Sequence, residues 1–320
     1  MALTYDDLTS KTNKFIVPRM VDEVYKSSPL FTRLRTRNME RFEGGQTIRH
    51  PIMYAKLKGG AFTRGGSFDT SYVQTDTALE VLVKYYYVNV TLYGVDNVLN
   101  RGAEAAMSLV ESKMVNASAR MADLLGVDLF LDGQGTNSTA LQLDGLQASV
   151  DDGTNFVSYG GILRTDIATG DNAGINSYYQ NLTTLTLGAV QTAYGSSWFG
   201  REHVDLIVSP QAIWDTLWNK IQPQQRFREE SSDVAKIGFQ ALRFNNSSVT
   251  VDQLCPTGFM FGLNTKFIQF WITTMPKYQF GFTGWKEAQN TDDVAGQYLF
   301  AGNLLNVGPR FMFKIQGLTG

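Results

Sequence analysis

Two long extended segments, QTIRHPIMYAK (46–56) and LEVLVKYYYVNVTLY (79–93), constrain this chain more than any other feature. In the second, Leu79, Val81, Val83 and Tyr85 share one phase of a period-two alternation, and from Tyr86 through Val88, Val90 and Leu92 the apolar residues take the other. Such alternation makes a half-buried strand, and the phase change requires a bulge or a change in which face is covered. Fifteen extended residues would reach roughly 50 Å. Pro51 has no N–H to donate, which places the first segment at a sheet edge. A two-stranded ribbon is only marginally stable alone in water. It must therefore lie on the chain's own body or on another subunit.

The stretch between the strands, LKGGAFTRGGSFDTS (57–71), comes within one residue of a phosphate-cradling loop, with Gly66 where that loop needs lysine. No helix pattern follows it, since Phe68–Thr77 is polar and β-prone. The glycines read instead as the adaptable tip of the ribbon. Phe62, Arg64 and Phe68 are its candidate contact residues for a neighbouring subunit.

Charged residues make up 18% of the 320, below the usual ~25%. Twelve per cent are aromatic, and the pair of values leans toward large permanent interfaces. A net charge of −2 argues against a dedicated nucleic-acid binder. The single Cys255 excludes an intrachain disulfide framework and a cysteine-rich metal site. The N-terminus has neither the basic start nor the apolar run of a signal peptide, and no apolar run approaches ~18 residues. No membrane association is expected.

Residues 1–42 hold eight basic and five acidic side chains and read as an arm. A short helix fits Val17–Tyr25, with Pro29 as its stop. Arg33, Arg35, Arg37 and Arg41 are candidates for contact with a neighbouring subunit or with phosphate backbone. Residues 97–125 form the clearest helix, with Leu99, Ala103, Ala106, Met107, Val110, Met114, Ala117, Met121 and Leu124 on one stripe and Gly126 as its stop. Residues 133–180 read as loops with short elements, followed by a helix at Leu182–Tyr194 and a buried strand at Val204–Val208. Ser209 and Pro210 are placed to cap and open a helix through Ile221, and 224–236 reads as a charged loop. Strands close the chain, the last at Phe311–Ile315.

Catalytic chemistry is thinly supplied. His50 and His203 have no metal-ligand spacing, and no Gly-x-Ser-x-Gly elbow occurs. Cys255, beside Pro256, reads as a small buried hydrophobe. The pairs Asp151–Asp152, Glu229–Glu230 and Asp292–Asp293 read as solvated loop charges, and none selects a hydrolytic site. No catalytic residue, cofactor or metal is expected.

The order of arm, glycine-tipped ribbon, long helix, mixed α/β segment and terminal strands resembles the HK97-fold major capsid protein of tailed bacteriophages. CPTGFMFGLNTKFIQFW (255–271) and NTDDVAGQYLFAGNLLNVGPRFMFKIQGL (290–318) resemble the closing segment of many such proteins. There a Pro-x-Gly turn leads into an aromatic-Leu-Asn-Thr-Lys strand, and a later Ala-Gly-Asn-Leu precedes the last strand. The order covers nearly the whole chain, and these local motifs about a fifth of it.

The resemblance implies an α+β capsid fold with an N-terminal arm (1–42), an extended loop (43–93) and a peripheral domain with its spine helix (94–132). An axial domain (133–260) and terminal strands completing both domains (261–320) would follow. It implies a subunit that assembles as hexamers and pentamers into an icosahedral shell around double-stranded DNA, within a virion built in the bacterial host cytoplasm. Its implied partners are copies of itself, a separate scaffolding protein, a portal protein, a decoration protein and DNA held by non-specific contacts. Lys56 and Lys58 lie in the extended loop, but no motif supports covalent cross-linking there, and none is expected. A phage tail component, a cellular cage of the same fold, or more remotely a hydrolase or nucleotide-binding enzyme remain as alternatives.

Overall fold

The computed structural model describes residues 28–93, 109–133, 141–167, 175–221, 241–287 and 293–319. Helix α1 (Pro29–Arg37) and strand β1 (Met39–Phe42) lead into β2 (Thr47–Met53), β3 (Asp76–Leu82), β4 (Lys84–Tyr93) and the long helix α2 (Leu109–Phe130). Short elements follow: α3 (Leu146–Ser149), β5 (Ser158–Tyr159), β6 (Ile162–Leu163) and α4 (Arg164–Ile167). Then come β7 (Tyr178–Asn181), α5 (Leu187–Ser197), β8 (Leu206–Ser209), α6 (Gln211–Ile221), β9 (Ala241–Phe244), β10 (Ser247–Val251) and β11 (Met260–Leu263). The chain closes with β12 (Ile268–Thr273), β13 (Gln279–Phe282), β14 (Lys286–Glu287), β15 (Asp293–Asn306) and β16 (Phe313–Gln316).

Two six-stranded sheets carry the body. β15 organises the first. One of its edges pairs antiparallel with β4, from Asp293↔Tyr93 to Gly302↔Lys84. The other edge takes β14, β13 and β12 in turn, and β1 adds in parallel outside β12. The second sheet runs β7-β16-β11-β8-β10-β9. The terminal strands are therefore divided: β12 to β15 belong to the first sheet, β11 and β16 to the second.

The long extended segment at 79–93 is split at Val83. β3 pairs with β2 from Thr47↔Leu82 to Met53↔Asp76, whereas β4 leaves the ribbon and joins β15. The phase change read from the sequence is this change of sheet, but it falls at Val83 rather than after Tyr85, which is exposed. Leu79 and Val81 are buried under the ribbon, and Lys84, Val90 and Leu92 are buried on the next sheet.

Helices α1 and α2 cover one face of the first sheet. Leu30, Phe31 and Leu34 of α1 and Met121, Leu125, Leu129 and Phe130 of α2 pack with Ile268, Phe270, Phe300 and Leu304. Pro29 opens α1, which Ser28 caps by accepting from the Phe31 N–H. Residues 28–42, expected in an arm, thus build the chain's own core and sheet. The helix expected at Val17–Tyr25 lies outside the described residues, as do the expected helical residues 97–108. Helix α2 also runs through Gly126 instead of stopping there. A Cβ at Gly126 would sit 2.6 Å from Leu254 Cδ1 and 3.6 Å from Ser28 Cβ, so the glycine serves close packing within the helix.

The second core lies between its sheet and α5 and α6, around Val190, Tyr194, Trp214, Leu217, Val249, Phe313 and Ile315. Helix α5 starts later than expected because the Thr186 side chain caps it, accepting from Ala189 N–H. Ser209 does not cap α6. It is the last, buried residue of β8, its Oγ has no partner among the described residues, and the Pro210 carbonyl accepts from Trp214 N–H instead. The last strand starts at Phe313 because Pro309–Phe311 form a 3-10 turn. The expected loop at 224–236 lies outside the described residues.

Candidate assembly surfaces

The ribbon base is anchored and its tip is not. Ile48, Leu79 and Val81 pack against Tyr159, Ile167, Ile175 and Leu305. Glu80 N–H donates to the Gly160 carbonyl at 2.8 Å. Gly160 and Gly161, both at positive φ, turn the β5–β6 hairpin beneath the ribbon. A side chain at Gly160 would meet Leu79 Cδ2 at 2.8 Å, so the close approach requires glycine.

Tyr54 is the last residue on this side of the ribbon to pack on that core. Residues 56–72 are exposed throughout. At the tip, Phe62 and Phe68 meet edge to face with ring centroids 5.0 Å apart. The turn beside them closes with Gly66 N–H donating to the Thr63 carbonyl at 2.8 Å, and Gly65 holds φ +82°. Arg64 sits in this turn, exposed. Lys58 pairs with Asp69 at 2.7 Å across the base of the loop. That contact and the Ser71 hydroxyl and N–H hold the exposed Asp69 carboxyl below its ordinary value. The glycines thus serve a closed turn that presents two aromatic rings, and no helix follows to hold a phosphate.

The four arginines of 33–41 are not brought together for one task. Arg33 is half-buried and bonds Asp205 at 2.7 Å and Thr265 at 3.1 Å. Arg35 lies 5.1 Å over the Phe280 ring. Arg37 and Arg41 are exposed, the latter on edge strand β1.

Asp151 departs most from its sequence reading. It is fully buried rather than solvated. Its Oδ2 accepts from the N–H groups of Gly153, Asn155 and Phe156, and its Oδ1 accepts from Asn155 Nδ2 and, at 2.7 Å, from Lys314 Nζ. Burial alone would raise its pKa, but Lys314 and these donors together hold it below the ordinary carboxylate value. Arg164, also buried, donates to the carbonyls of Ala148, Ser149, Asp151, Phe156 and Ile175. Loop, short helices and last strand are locked together by this cluster. Asp152 does remain exposed, and Asp293 starts β15. Glu229, Glu230 and Asp292 lie outside the described residues.

Other buried or half-buried carboxylates sit at joints between elements. Asp252 accepts from Ser28 Oγ at 2.6 Å and from Leu254 N–H at 2.9 Å, fastening the start of α1 to the end of β10, and burial raises its pKa. Asp144 accepts from Asn303 Nδ2 at 2.7 Å and lies 4.0 Å from Lys84, where the ribbon enters the first sheet. Asp128 accepts from Tyr86 Oη at 2.6 Å, joining α2 to β4, and burial raises both groups.

The remaining candidates stand apart. His50 lies on β2, half-buried. His203 Nε2 is 2.9 Å from Asn246 Nδ2 beside Trp198 and Tyr194. Cys255 is buried against the main core, and burial pushes its thiol pKa well up. Among the described residues no three His, Cys, Asp or Glu side chains gather as metal ligands, and no helix is long and apolar enough to cross a membrane.

No family model matches the sequence, and no curated protein matches it. Solved structures do. The capsid asymmetric unit of cyanophage A-1(L) aligns over 98% of this chain and 99% of its own, with a TM-score of 0.72 at 15% identity. The chain has the HK97-like capsid fold. Two further structures share the capsid fold from end to end. The SrpI encapsulin of Synechococcus elongatus covers 99% of this chain and 96% of its own, at TM-score 0.65 and 8% identity. The capsid of a native GTA particle covers 99% and 100%, at 0.64 and 9%.

Proposed function

We propose that this chain is the major capsid protein of a tailed bacteriophage, which assembles as hexamers and pentamers into an icosahedral shell enclosing double-stranded DNA. The observation that carries the reading is the end-to-end match to a phage capsid subunit, with neither chain leaving an unmatched domain. The first sheet with α1 and α2 then acts as the peripheral domain, the second sheet with α5 and α6 as the axial domain, and β2–β3 as the extended loop. Residues 1–27 are the arm, shortened from 1–42 because α1 and β1 pack on the chain's own body. Phe62, Arg64 and Phe68 contact a neighbouring subunit, and Arg35, Arg37 and Arg41 contact a neighbour or packaged DNA. Arg33 is committed to Asp205. A separate scaffolding protein, a portal and a decoration protein complete the partners, and the chain performs no catalysis.

The purified protein should form closed spheres of tens of nanometres by electron microscopy. Nuclease-resistant double-stranded DNA should be present in particles from infected cells. A 35.6 kDa monomer that assembles under no condition would refute the shell. Tubes would support a tail component. A second reading, a cellular cage, is favoured by the encapsulin match, and spheres filled with protein instead of DNA would support it.

A further inference from the structure

The Ala-Gly-Asn-Leu stretch of β15 (301–304) lies where the ribbon joins the body. The ladder between β4 and β15 ends at the pair Lys84↔Gly302, one residue short of Asn303. The ribbon begins at the next residue, where the Val83 N–H donates to the Gln46 carbonyl at 3.1 Å. In an antiparallel pair, successive residues turn their main-chain groups to opposite sides. Leu82 therefore turns its carbonyl away from β2, and Asn303 Nδ2 donates to it at 2.7 Å. One side chain thus carries the bonding across the crossover where the main-chain ladder stops.

Asn303 is fully buried, and all four bonding positions of its amide are filled. Its second Nδ2 hydrogen goes to Asp144 Oδ2 at 2.7 Å. Its Oδ1 accepts from the Asp144 N–H at 3.0 Å and the Leu304 N–H at 2.7 Å. Asp144 is itself held in place, since a Cβ on the following Gly145 would clash with the carbonyls of Asp128 and Leu131 at the end of α2. Asn303 therefore ties the ribbon to a fixed part of the body. An aspartate there would lack both donors, and a leucine all four bonds.

Packing alone leaves the ribbon base room to rock. A cavity of about 370 Å³ lies beneath it, lined in part by Glu80, Leu82, Lys84, Asp144, Phe156 and Gly160. Two hydrogen bonds at its rim, from Glu80 N–H to the Gly160 carbonyl and from Asn303 to the Leu82 carbonyl, fix the angle that the apolar contacts leave open. We infer that Asn303 is the positioning residue of the ribbon: it sets the direction in which β2–β3 leaves the body, and so where on a neighbouring copy the tip docks. The inference rests on the shell reading.

Spin labels at Met53→Cys, at the outer end of β2, and at Thr36→Cys, exposed on α1, report the ribbon's direction in free subunits. With Asn303 in place the distance distribution between them should be single and narrow. Asn303→Asp sets an oxygen against the Leu82 carbonyl and the Asp144 carboxylate, and the distribution should broaden. The yield of closed shells should fall about tenfold, because re-fixing even one freed residue on docking costs that much in the equilibrium. Asn303→Asp combined with Asp144→Asn restores the side-chain pair with its polarity reversed, but leaves the Leu82 carbonyl facing an oxygen. In this double variant subunit unfolding should recover while the broad distribution and the low yield persist. Recovery of all three together would make Asn303 a support of the body alone and overturn the inference. A narrow distribution in folded Asn303→Asp subunits, or failure of both variants to fold, would also overturn it. These outcomes leave the shell reading intact; that reading falls, and takes the docking role with it, only if the unsubstituted chain forms no shell.

Discussion

Replacing Lys314 should reveal how much of the subunit's stability rests on one buried pair. Lys314 and Asp151 are 1% and 0% exposed, with Nζ and Oδ1 2.7 Å apart. Removing one partner of such a pair costs about 3–5 kcal/mol, because the other is left buried and uncompensated. Lys314→Met nearly preserves volume, and Asp151 keeps its bonds from Gly153, Asn155 and Phe156. Its cost should fall near the low end, about 3 kcal/mol. Asp151→Asn leaves two buried cations, Lys314 and Arg164, without the carboxylate between them. Its cost should approach about 5 kcal/mol, and the double variant should lose less than the sum of the two. The sign with pH follows from Asp151, whose pKa is lowered on folding from 3.8. A lowered carboxylate contributes stability above its unfolded value, and that contribution is lost as pH falls through the folded one. The gap between wild type and Lys314→Met should therefore be widest at neutral pH and narrow below pH 3.8. Urea unfolding of disassembled subunits, followed by tryptophan fluorescence, measures both quantities. A variant within about 0.5 kcal/mol of wild type at neutral pH, or a gap that widens in acid, would refute the reasoning.

Other perturbations separate folding from assembly. Phe62→Ala removes one ring of the tip pair and Arg64→Ala its charge; both should lower particle yield with subunit unfolding unchanged, and normal yields would reduce the tip to an idle loop. Gly126→Ala should gain less than an open helix glycine, because its Cβ would sit 2.6 Å from Leu254 Cδ1 and moving that side-chain end aside offsets a helix-propensity gain of about 1 kcal/mol. Gly188→Ala and Gly195→Ala, where a Cβ meets nothing within 4 Å, should each stabilise by up to about 1 kcal/mol. Thermal unfolding that ranks the three alike would contradict the packing argument. Asp252→Ala should cost about 1–3 kcal/mol by orphaning the donors from Ser28 and Leu254. Because burial raises Asp252 on folding, its favourable contribution is complete below pH 3.8 and is lost as pH rises through the folded value. Asp252→Asn should therefore compare better with wild type at neutral pH than in acid, which a pH series of urea midpoints checks.

The parts of the fold carried by local pattern were legible. The apolar stripe of α2, the alternation of the ribbon strands and the glycine turn at the tip each follow from neighbours a few residues apart. What depends on distant partners was not. The alternation marked a phase change after Tyr85, two residues beyond the break at Val83, and that β4 pairs with β15 while β3 pairs with β2 is a choice made across two hundred residues. Gly126 had the composition of a helix stop, and only Leu254 and Ser28 reveal it as a packing glycine. Asp151 stands in a hydrophilic run, and the lysine that draws it inside is 163 residues away. Arg33 looked like its neighbouring arginines until Asp205 claimed it. For the tip, sequence placed Phe62, Arg64 and Phe68 on a ribbon end, and the geometry adds that the two rings present themselves as one unit.

The distribution of unmet surface follows the same division. In the body both sheets are packed against helices, and the buried charges described above find partners within the chain. Nine large apolar or aromatic side chains between Met53 and Tyr93 are nonetheless exposed, from Met53 and Leu57 through the tip to Tyr85, Tyr87 and Tyr93. Burying each of these is worth about 1.5–3 kcal/mol, enough for a few neighbours' contacts to outweigh the ordering of the ribbon tip, which no described residue of its own chain covers. Because the ribbon tip adds little to the fold of the free subunit, it can follow neighbours at different orientations without straining the core that holds the ribbon base. A closed shell built from one chain needs that separation, since its subunits meet at unequal angles while each keeps the same body.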